Sequence, residues 1–345
     1  MNKTAAALIV FLSFFTTGCS MIVGKDDTPA QKGLTLRFVE TLRNEASLRG
    51  ESLKEASYNT DRATTLQQPN SVFADAFRVY VTDTANIVSA TTSTFARVFV
   101  FDRGERTVAI FDGTQPSPAD TIGIDKGTLI APGGITVDAA GTLWVSDSQQ
   151  GKVFGYTRNG KLLSIIGKFG ELARPVGLAA DYHRNRLYIA DAHAQLVKVF
   201  SIDGTRLFEI GASGKAGEDS KFPGAIALDR NGNLSVLDTK RRLVRKYDPD
   251  GKFVKTFGLS GADPGSAVKP RGLAIDSDGH LYVTDTASNN ILVFDQEGEL
   301  LFTWGRTGSL SGEFWSPAGI FIDDRDFIYI ADQTNGRIQI FQYIK

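Results

Sequence analysis

Apolar and polar residues alternate along most of this chain in short runs that close at an aspartate. One unit comprises an apolar strand ending in Asp, a polar turn, an alternating strand ending in another Asp, and two further strands around a Gly-containing turn. The second aspartates recur at intervals of 44, 47, 47 and 47 residues, and they are Asp147, Asp191, Asp238, Asp285 and Asp332. Four strands of period-2 alternation in about 45 residues predict one blade of a β-propeller, in which each blade packs against its neighbours.

A sixth unit and a closing strand complete the predicted ring. Residues 71–83 form a shorter copy of the unit. The last unit stops after its third strand, which would leave an unpaired edge, and residues 33–42 carry a fourth-strand pattern that can pair beside it. The sequence therefore predicts an all-β, six-bladed propeller of four-stranded blades over residues 34–345, its last blade closed by an N-terminal strand. Seven blades are the alternative if residues 43–68 or 113–131 contain a degenerate unit.

The order of a Gly-rich linker, a Phe, a Pro and an aromatic-Val-x-Asp strand resembles the NHL repeat over residues 69–345. The resemblance implies a propeller but several possible functions. Some NHL propellers bind RNA, NHL-like amidating lyases hold a metal with histidines, and lactonase-like propellers use Glu, Asn and Asp. Because one fold carries so many functions, the resemblance alone selects none of them.

The N-terminus has the pattern of a secretory signal peptide. Lys3 precedes an apolar run, residues 5–15, which is shorter than the ~20 residues that span a bilayer core. The Thr-Thr-Gly-Cys stretch that follows resembles the bacterial lipobox, in which the Cys is acylated after cleavage. We therefore expect a lipoprotein signal peptide at residues 1–18, a lipid anchor at Cys19 and a flexible tether over residues 19–33.

This interpretation makes the protein an exported bacterial lipoprotein. Ser20 directly after the Cys resembles the outer-membrane sorting preference of diderm bacteria. The expected location is the outer membrane or the cell surface, with the propeller in the periplasm or outside. The expected partner is then another cell-envelope protein, and the lipid anchor contacts the membrane.

Net charge and cysteine content exclude some partners and some kinds of site. The 38 basic and 39 acidic residues give a net charge of −1, so no overall field attracts nucleic acid. A basic stretch at residues 239–248 is interpreted as solvated charge on an edge strand, and no nucleic-acid partner is expected. Cys19 is the only cysteine, which excludes an intramolecular disulfide and a Cys-based zinc site.

The repeated aspartates are interpreted as structural. Each stands where a second strand enters a tight turn, and there a carboxylate accepts hydrogen bonds from turn N–H groups. The predicted turn carboxylates are Asp83, Asp147, Asp191, Asp238, Asp285 and Asp332. His183, His193 and His280 fall in turns at opposite ends of the blades, so they cannot share one metal. We therefore expect no catalytic residue, no metal and no cofactor.

A binding surface is predicted where long insertions gather. Residues 85–96 and 113–132 are both assigned to the face that carries the linkers between blades, and loop excess on one face marks a binding surface. The candidate contact residues flank linker prolines or lie in linkers, and they are Asn70, Arg174, Lys269, Arg271, Arg306 and Trp315. Arg and Trp are favoured in interfaces. The sequence therefore favours a protein-binding scaffold. The alternatives are a Ca²⁺-dependent propeller hydrolase or lyase, and a propeller that binds a small ligand or glycan.

Overall fold

The described part of the chain folds almost entirely into antiparallel β-strands. The computed structural model describes residues 20–21, 35–42, 69–75, 97–102, 107–111, 118–122, 129–157, 160–211, 219, 221–259 and 267–344. Within these ranges the chain forms no helix that is long and apolar enough to span a membrane. Lys168–Gly170 forms a short 3-10 turn.

The first two strands are β1 (Ser20–Met21) and β2 (Thr35–Leu42). The strands that follow form sheets of four in sequence order, and each sheet is one blade. Blade 1 comprises β3 (Pro69–Asp75), β4 (Arg97–Asp102), β5 (Thr107–Phe111) and β6 (Pro118–Ile122). Blade 2 comprises β7 (Pro132–Val137), β8 (Leu143–Asp147), β9 (Lys152–Tyr156) and β10 (Leu162–Ile166). Blade 3 comprises β11 (Pro175–Asp181), β12 (Arg186–Asp191), β13 (Leu196–Ser201) and β14 (Arg206–Ile210).

The remaining blades repeat the arrangement. Blade 4 comprises β15 (Pro223–Leu228), β16 (Leu234–Asp238), β17 (Leu243–Tyr247) and β18 (Phe253–Gly258). Blade 5 comprises β19 (Pro270–Ile275), β20 (Leu281–Asp285), β21 (Asn290–Phe294) and β22 (Leu300–Trp304). Blade 6 takes β23 (Pro317–Ile322), β24 (Phe327–Asp332) and β25 (Arg337–Ile344) from the C-terminal end of the chain.

The first strands of the blades form a closed ring around a central axis. Strand β7 contacts β11, β11 contacts β15, and the series continues through β19 and β23 to β3, which contacts β7 again. Over the described residues this ring has six sheets. The predicted six-bladed, all-β propeller is therefore confirmed.

The last blade is completed from the N-terminal part of the chain. Strand β2 lies antiparallel to β25, in a register that runs from Thr35 opposite Ile344 to Leu42 opposite Ile338. This pairing confirms the predicted closing strand. Strand β1 pairs in turn with β2, which places Ser20–Met21 at the outer edge of blade 6.

The assignment of strands in blade 1 differs from the prediction. In every other blade the opening proline lies opposite the second-strand aspartate, as Pro132 lies opposite Asp147. In blade 1, Pro69 lies opposite Asp102. The position predicted for Asp83 therefore belongs to Asp102, and Asp83 itself lies outside the described residues. Both local sequences are alternating strands that end in Asp, so the pattern alone could not choose between them.

The core lies between neighbouring blades. The second strands β8, β16, β20 and β24 are buried along their whole length, whereas the outer strand β18 alternates between half-buried and exposed residues. Trp144 of blade 2, for example, packs into one cluster with Leu187 and Phe200 of blade 3. Each blade is therefore stabilised by both of its neighbours, as expected for a repeat architecture.

Close contact between inner strands depends on glycine. A Cβ added at Gly134 would lie 2.3 Å from the Val176 carbonyl oxygen of the next blade, far inside contact distance. Gly177 and Gly272 make equivalent approaches to the next blade. The Ser146 hydroxyl donates to that same Val176 oxygen at 2.7 Å, so this carbonyl is held in place.

We expect Gly134→Ala to destabilise the fold by about 3 kcal/mol because the added methyl group must push two inner strands apart. The melting temperature should fall by about 5 °C. Gly133→Ala is the matched control, since a Cβ there would lie 3.5 Å from the same oxygen, at ordinary contact distance. Equal melting temperatures for the two variants in a calorimetric scan would contradict this expectation.

Candidate functional site

The propeller has two ends with different connections. We call the end at which the prolines open the inner strands the linker face, and the end with the first-to-second-strand turns the turn face. Strand β3 leaves at Asp75, which lies opposite Arg97 at the start of β4. The connection between these strands therefore belongs to the turn face.

The prediction that long insertions gather on the linker face is wrong. Residues 85–96 lie outside the described residues, but the strand ends on either side of them, Asp75 and Arg97, are both at the turn face. The predicted linker 113–132 is also interrupted, because β6 occupies Pro118–Ile122. Strand β6 ends at the linker face, so only the part of this segment after Ile122 joins blade 1 to blade 2. The error follows from the misassigned second strand of blade 1, which moved one insertion to the opposite end.

The second-strand aspartates tie each linker to the turn that follows the second strand. Asp147 is fully buried, and its carboxylate accepts N–H bonds from Ala131 at 3.1 Å on one side and from Gln150 at 3.0 Å on the other. Equivalent bonds reach the other members of this buried set, Asp191, Asp238, Asp285 and Asp332. These oxygens are thus occupied by donors of the protein itself.

The hydrogen bonds also decide the charge of two of these groups. Burial raises the pKa of the Asp147 carboxyl, but N–H donors, those of Ile130 and Gln150 foremost, outweigh it and hold the pKa below its ordinary value. Burial likewise acts against the N–H donors of Ala173 and Arg174 at Asp191, whose pKa is also lowered. Both carboxylates are therefore ionised at neutral pH.

The mouth of the channel at the turn face is acidic but internally paired. It opens a cavity of about 580 Å³. Asp276 accepts from Tyr282 Oη at 3.1 Å and lies 2.8 Å from His280 Nδ1, and this contact raises the His280 pKa. Arg230 of blade 4 donates to the Asp324 carbonyl oxygen of blade 6 at 3.0 Å. Protein donors and a bridging arginine therefore already occupy this mouth.

The three histidines are separated as the turn assignment indicated. His183 lines the turn-face cavity, and His280 lies in another turn at the same end. His193 lines the cavity at the linker face. In the part of the chain that the structure describes, no three His, Cys, Asp or Glu side chains are grouped as metal ligands.

The basic stretch 239–248 does not form one charged track. Arg245 is buried and donates to Asp238 at 3.3 Å, and Lys246 pairs with Asp229 at 3.1 Å. The Lys240 ammonium lies 4.2 Å from the centre of the Phe222 ring. The interpretation as solvated edge-strand charge is wrong for Arg245, because β17 is the third strand and β18 lies outside it.

The channel mouth at the linker face is a basic cavity of about 980 Å³. Arg174, Lys240 and Arg271 line it, and they come from blades 3, 4 and 5 in order around the ring. Among the described lining residues there is no Asp or Glu. The side chains that line this cavity are therefore basic, and they favour the binding of an anionic group.

An apolar waist separates the two cavities. Five inner-strand residues line both of them, and they are Ile135, Leu178, Ile226, Leu273 and Ile320. Each of them pairs with the second-strand residue that lies two positions before the aspartate, as Ile135 pairs with Val145. Val72 takes the same position in blade 1. This ring of aliphatic residues lies between two mouths that differ in chemistry.

Apolar side chains are exposed on the rim of the linker face. In blades 2 to 6, the residue two positions before the opening proline donates its N–H to the second-strand aspartate. Three of these residues carry large exposed side chains: Ile130 is 42% exposed, Val268 58% and Trp315 54%. This rim and the basic lining lie on the same face.

The predicted contact residues are placed as follows. Arg174 and Arg271 line the linker-face cavity, and Lys269 is exposed directly before Pro270. Arg306 is 80% exposed and pairs with Glu313 at 2.8 Å in the linker to blade 6, which also carries Trp315. Asn70 lies in β3 with only its backbone described, and Cys19 lies outside the described residues.

Comparison with known proteins agrees with the architecture. A family model described as a 6-bladed beta-propeller matches residues 272–343, which cover most of blades 5 and 6. The chain is a six-bladed β-propeller. No curated protein matches its sequence.

Similar solved structures have unlike roles. Virginiamycin B lyase from Staphylococcus aureus is 13% identical, with a TM-score of 0.55 and coverage of 90% of this chain and 100% of that chain. An auxiliary nutrient binding protein from Bacteroides thetaiotaomicron is 16% identical, with a TM-score of 0.55 and coverage of 72% and 66%. A Nidogen/Laminin complex contains a chain 18% identical, with a TM-score of 0.54 and coverage of 88% and 96%. At such identities the likeness establishes the fold alone.

Proposed function

We propose that this protein is a non-enzymatic binding propeller of the cell envelope. Cys19 holds it on the membrane, and the linker face docks an acidic surface of another envelope protein. The observation that carries the proposal is the basic mouth, in which three consecutive blades contribute Arg174, Lys240 and Arg271 without an acidic lining residue among those described.

Like charges gathered in one cavity favour the approach of an anion. A carboxylate that enters the cavity meets three cationic side chains of the lining, which attract it. Positive potential at a concave mouth also speeds the encounter with an acidic partner. A protein partner accords with the exposed Trp315 and Val268 on the same face, because exposed apolar side chains beside arginines are typical of interfaces.

The alternative of a carboxylate-held Ca²⁺ has less support. The acidic side chains at the turn face are engaged by N–H groups and by the Tyr282 and Tyr329 hydroxyls. The second-strand aspartates are engaged in the same way at the other end. A calcium ion needs six or more oxygen ligands, and these carboxylates would have to leave their present donors to supply them.

In-cell photocrosslinking tests the docking face. Benzoylphenylalanine placed at His193, an exposed residue of the linker-face cavity, should crosslink to a discrete envelope protein. The same replacement at His183, exposed at the turn-face cavity, is the matched control and should not. Arg174→Glu together with Arg271→Glu should abolish the product, because a positive mouth becomes mixed in charge.

A further variant tests the lipid anchor at Cys19. Cys19→Ser should release the protein from the membrane fraction, because the acyl chains attach to that thiol. Crosslinking from His183 at the level of His193, or none from either position, would refute the docking face. A Cys19→Ser protein that stays in the membrane fraction would refute the lipid anchor alone.

A further inference from the structure

The cationic residues that line the linker-face cavity and the large apolar residues exposed on its rim come mostly from different blades. The basic residues Arg174 and Lys240 belong to blades 3 and 4, whereas the exposed apolar residues Trp315 and Ile130 belong to blades 6 and 2. Blade 5 carries both kinds, with Arg271 in the cavity and Val268 on the rim. The mouth therefore has a basic side, defined by the cations that line the cavity, and an apolar side, defined by the rim residues, and the two meet at blade 5.

The apolar side is held rigidly. The N–H groups of Ile130, Val268 and Trp315 donate to buried second-strand carboxylates at 2.5, 2.6 and 2.8 Å. Their side chains are thus presented from backbone that is fixed to the core. Rigid exposed aromatic and aliphatic side chains bind with little loss of conformational entropy.

We propose that the ligand of this mouth is an extended polypeptide segment in which acidic residues are followed within a few positions by a large apolar residue. This inference rests on the proposed docking function and specifies the chemistry of the docking segment. The carboxylates enter the basic cavity, and the apolar side chain packs against Val268 and Trp315.

The position of the rim favours a polypeptide over a small anion. Val268 and Trp315 do not line the cavity, whereas Arg271 does. A small anion lodged against Arg271 leaves the rim uncovered. A chain rising at about 3.3 Å per residue spans from the cavity to the rim in a few residues and covers both.

The basic side chains suit carboxylates in particular. Arginine binds a carboxylate through two parallel N–H bonds, and two arginines face the cavity from blades on either side of blade 4. Lys240 is positioned between them by its contact with the Phe222 ring. The waist at Ile135 and its equivalents closes the floor with apolar surface, so the charged groups bind near the opening.

Selection from a library of random dodecapeptides displayed on phage tests the chemistry. The bait is the full chain, and the double variant Arg174→Glu with Arg271→Glu serves for counter-selection. We expect enriched sequences to carry Asp or Glu beside Phe, Leu or Trp. Enrichment of basic sequences, of purely apolar sequences, or of nothing above the counter-selected background would overturn the proposal.

Affinity measurements on an enriched peptide without Trp separate the two sides of the mouth. Arg271→Glu should weaken binding about tenfold or more and flatten its salt dependence. Trp315→Ala should weaken binding to a similar degree and leave the salt dependence unchanged. Lys161→Glu, an exposed charge reversal at the turn face, is the control and should bind as the parent protein does.

Tryptophan fluorescence gives a direct readout of the rim. Trp144 and Trp304 are buried, so a blue shift on binding reports Trp315. A shift caused by phosphatidylglycerol vesicles and not by the peptide would overturn the proposal and assign the face to a lipid surface. If position 193 crosslinks to a partner but acidic peptides do not bind, the proposed peptide chemistry is refuted and the docking function is not. If His193 fails to crosslink in cells, the docking function falls even where a peptide binds.

Discussion

A variant that begins at residue 43 and so lacks strand β2 is expected to aggregate and to lose more stability than a single substitution removes, about 5 kcal/mol. Without β2 the whole of β25, Arg337–Ile344, becomes an exposed edge with one charged residue. Such an edge pairs readily with other chains. The buried Leu36 is lost as well, and with it the contact to the cluster that contains Trp304 and Phe341.

A variant that begins at residue 34 is the matched control. It also lacks residues 1–33, Cys19 included, but it keeps β2. Light scattering and thermal melts of the two purified variants give the comparison. If both are monomeric and melt together, β2 contributes nothing to closure and the expectation is wrong.

Arg337→Ala is expected to destabilise the propeller by about 3–5 kcal/mol, the cost of removing one partner of a buried ion pair. Arg337 is buried and donates to Asp332 at 2.6 Å. It also donates to the carbonyl oxygens of Ser309, Leu310 and Glu313 at 2.6, 2.8 and 2.8 Å. The substitution therefore leaves the buried Asp332 carboxylate without its cationic partner, and the linker that leads to Trp315 loses three hydrogen bonds.

The melting temperature of Arg337→Ala should fall by about 6 °C. Arg306→Ala is the control from the same linker, because its pair with Glu313 is exposed and worth less than about 1 kcal/mol. Denaturant titrations measure both variants. Equal denaturation midpoints for Arg337→Ala and the parent protein would show that Arg337 does not stabilise the fold.

The periodic features of this fold could be predicted because they repeat. Five copies of the proline and aspartate spacing define the blades from Pro132 onward, and the spare strand at residues 33–42 completes an otherwise unpaired edge. Blade 1 has one copy and two competing segments, 77–83 and 97–102. Only the pairing of Pro69 with Asp102 decides between them, and no local pattern contains that information.

The candidate site was predictable in part. Arg174 and Arg271 were found because they flank linker prolines. Lys240 was missed because it follows Asp238 in the turn after a second strand, and only the fold brings that turn to the same mouth. A usable signal did exist for the rim, since Ile130, Val268 and Trp315 each stand two residues before a proline.

The pairing of β2 with β25 also sets an order on folding. Thr35 and Ile344 lie near opposite ends of the chain, so their contact carries the largest loop-closure entropy in the ring. Blades 2 to 5 are continuous in sequence and can assemble as they emerge from the ribosome. Strand β2 is synthesised early and remains unpaired with β25 until the last strand is complete. The ring is therefore an open, partly formed solenoid for most of its synthesis, and a delay at that last step prolongs the time during which β2 remains available to other strands.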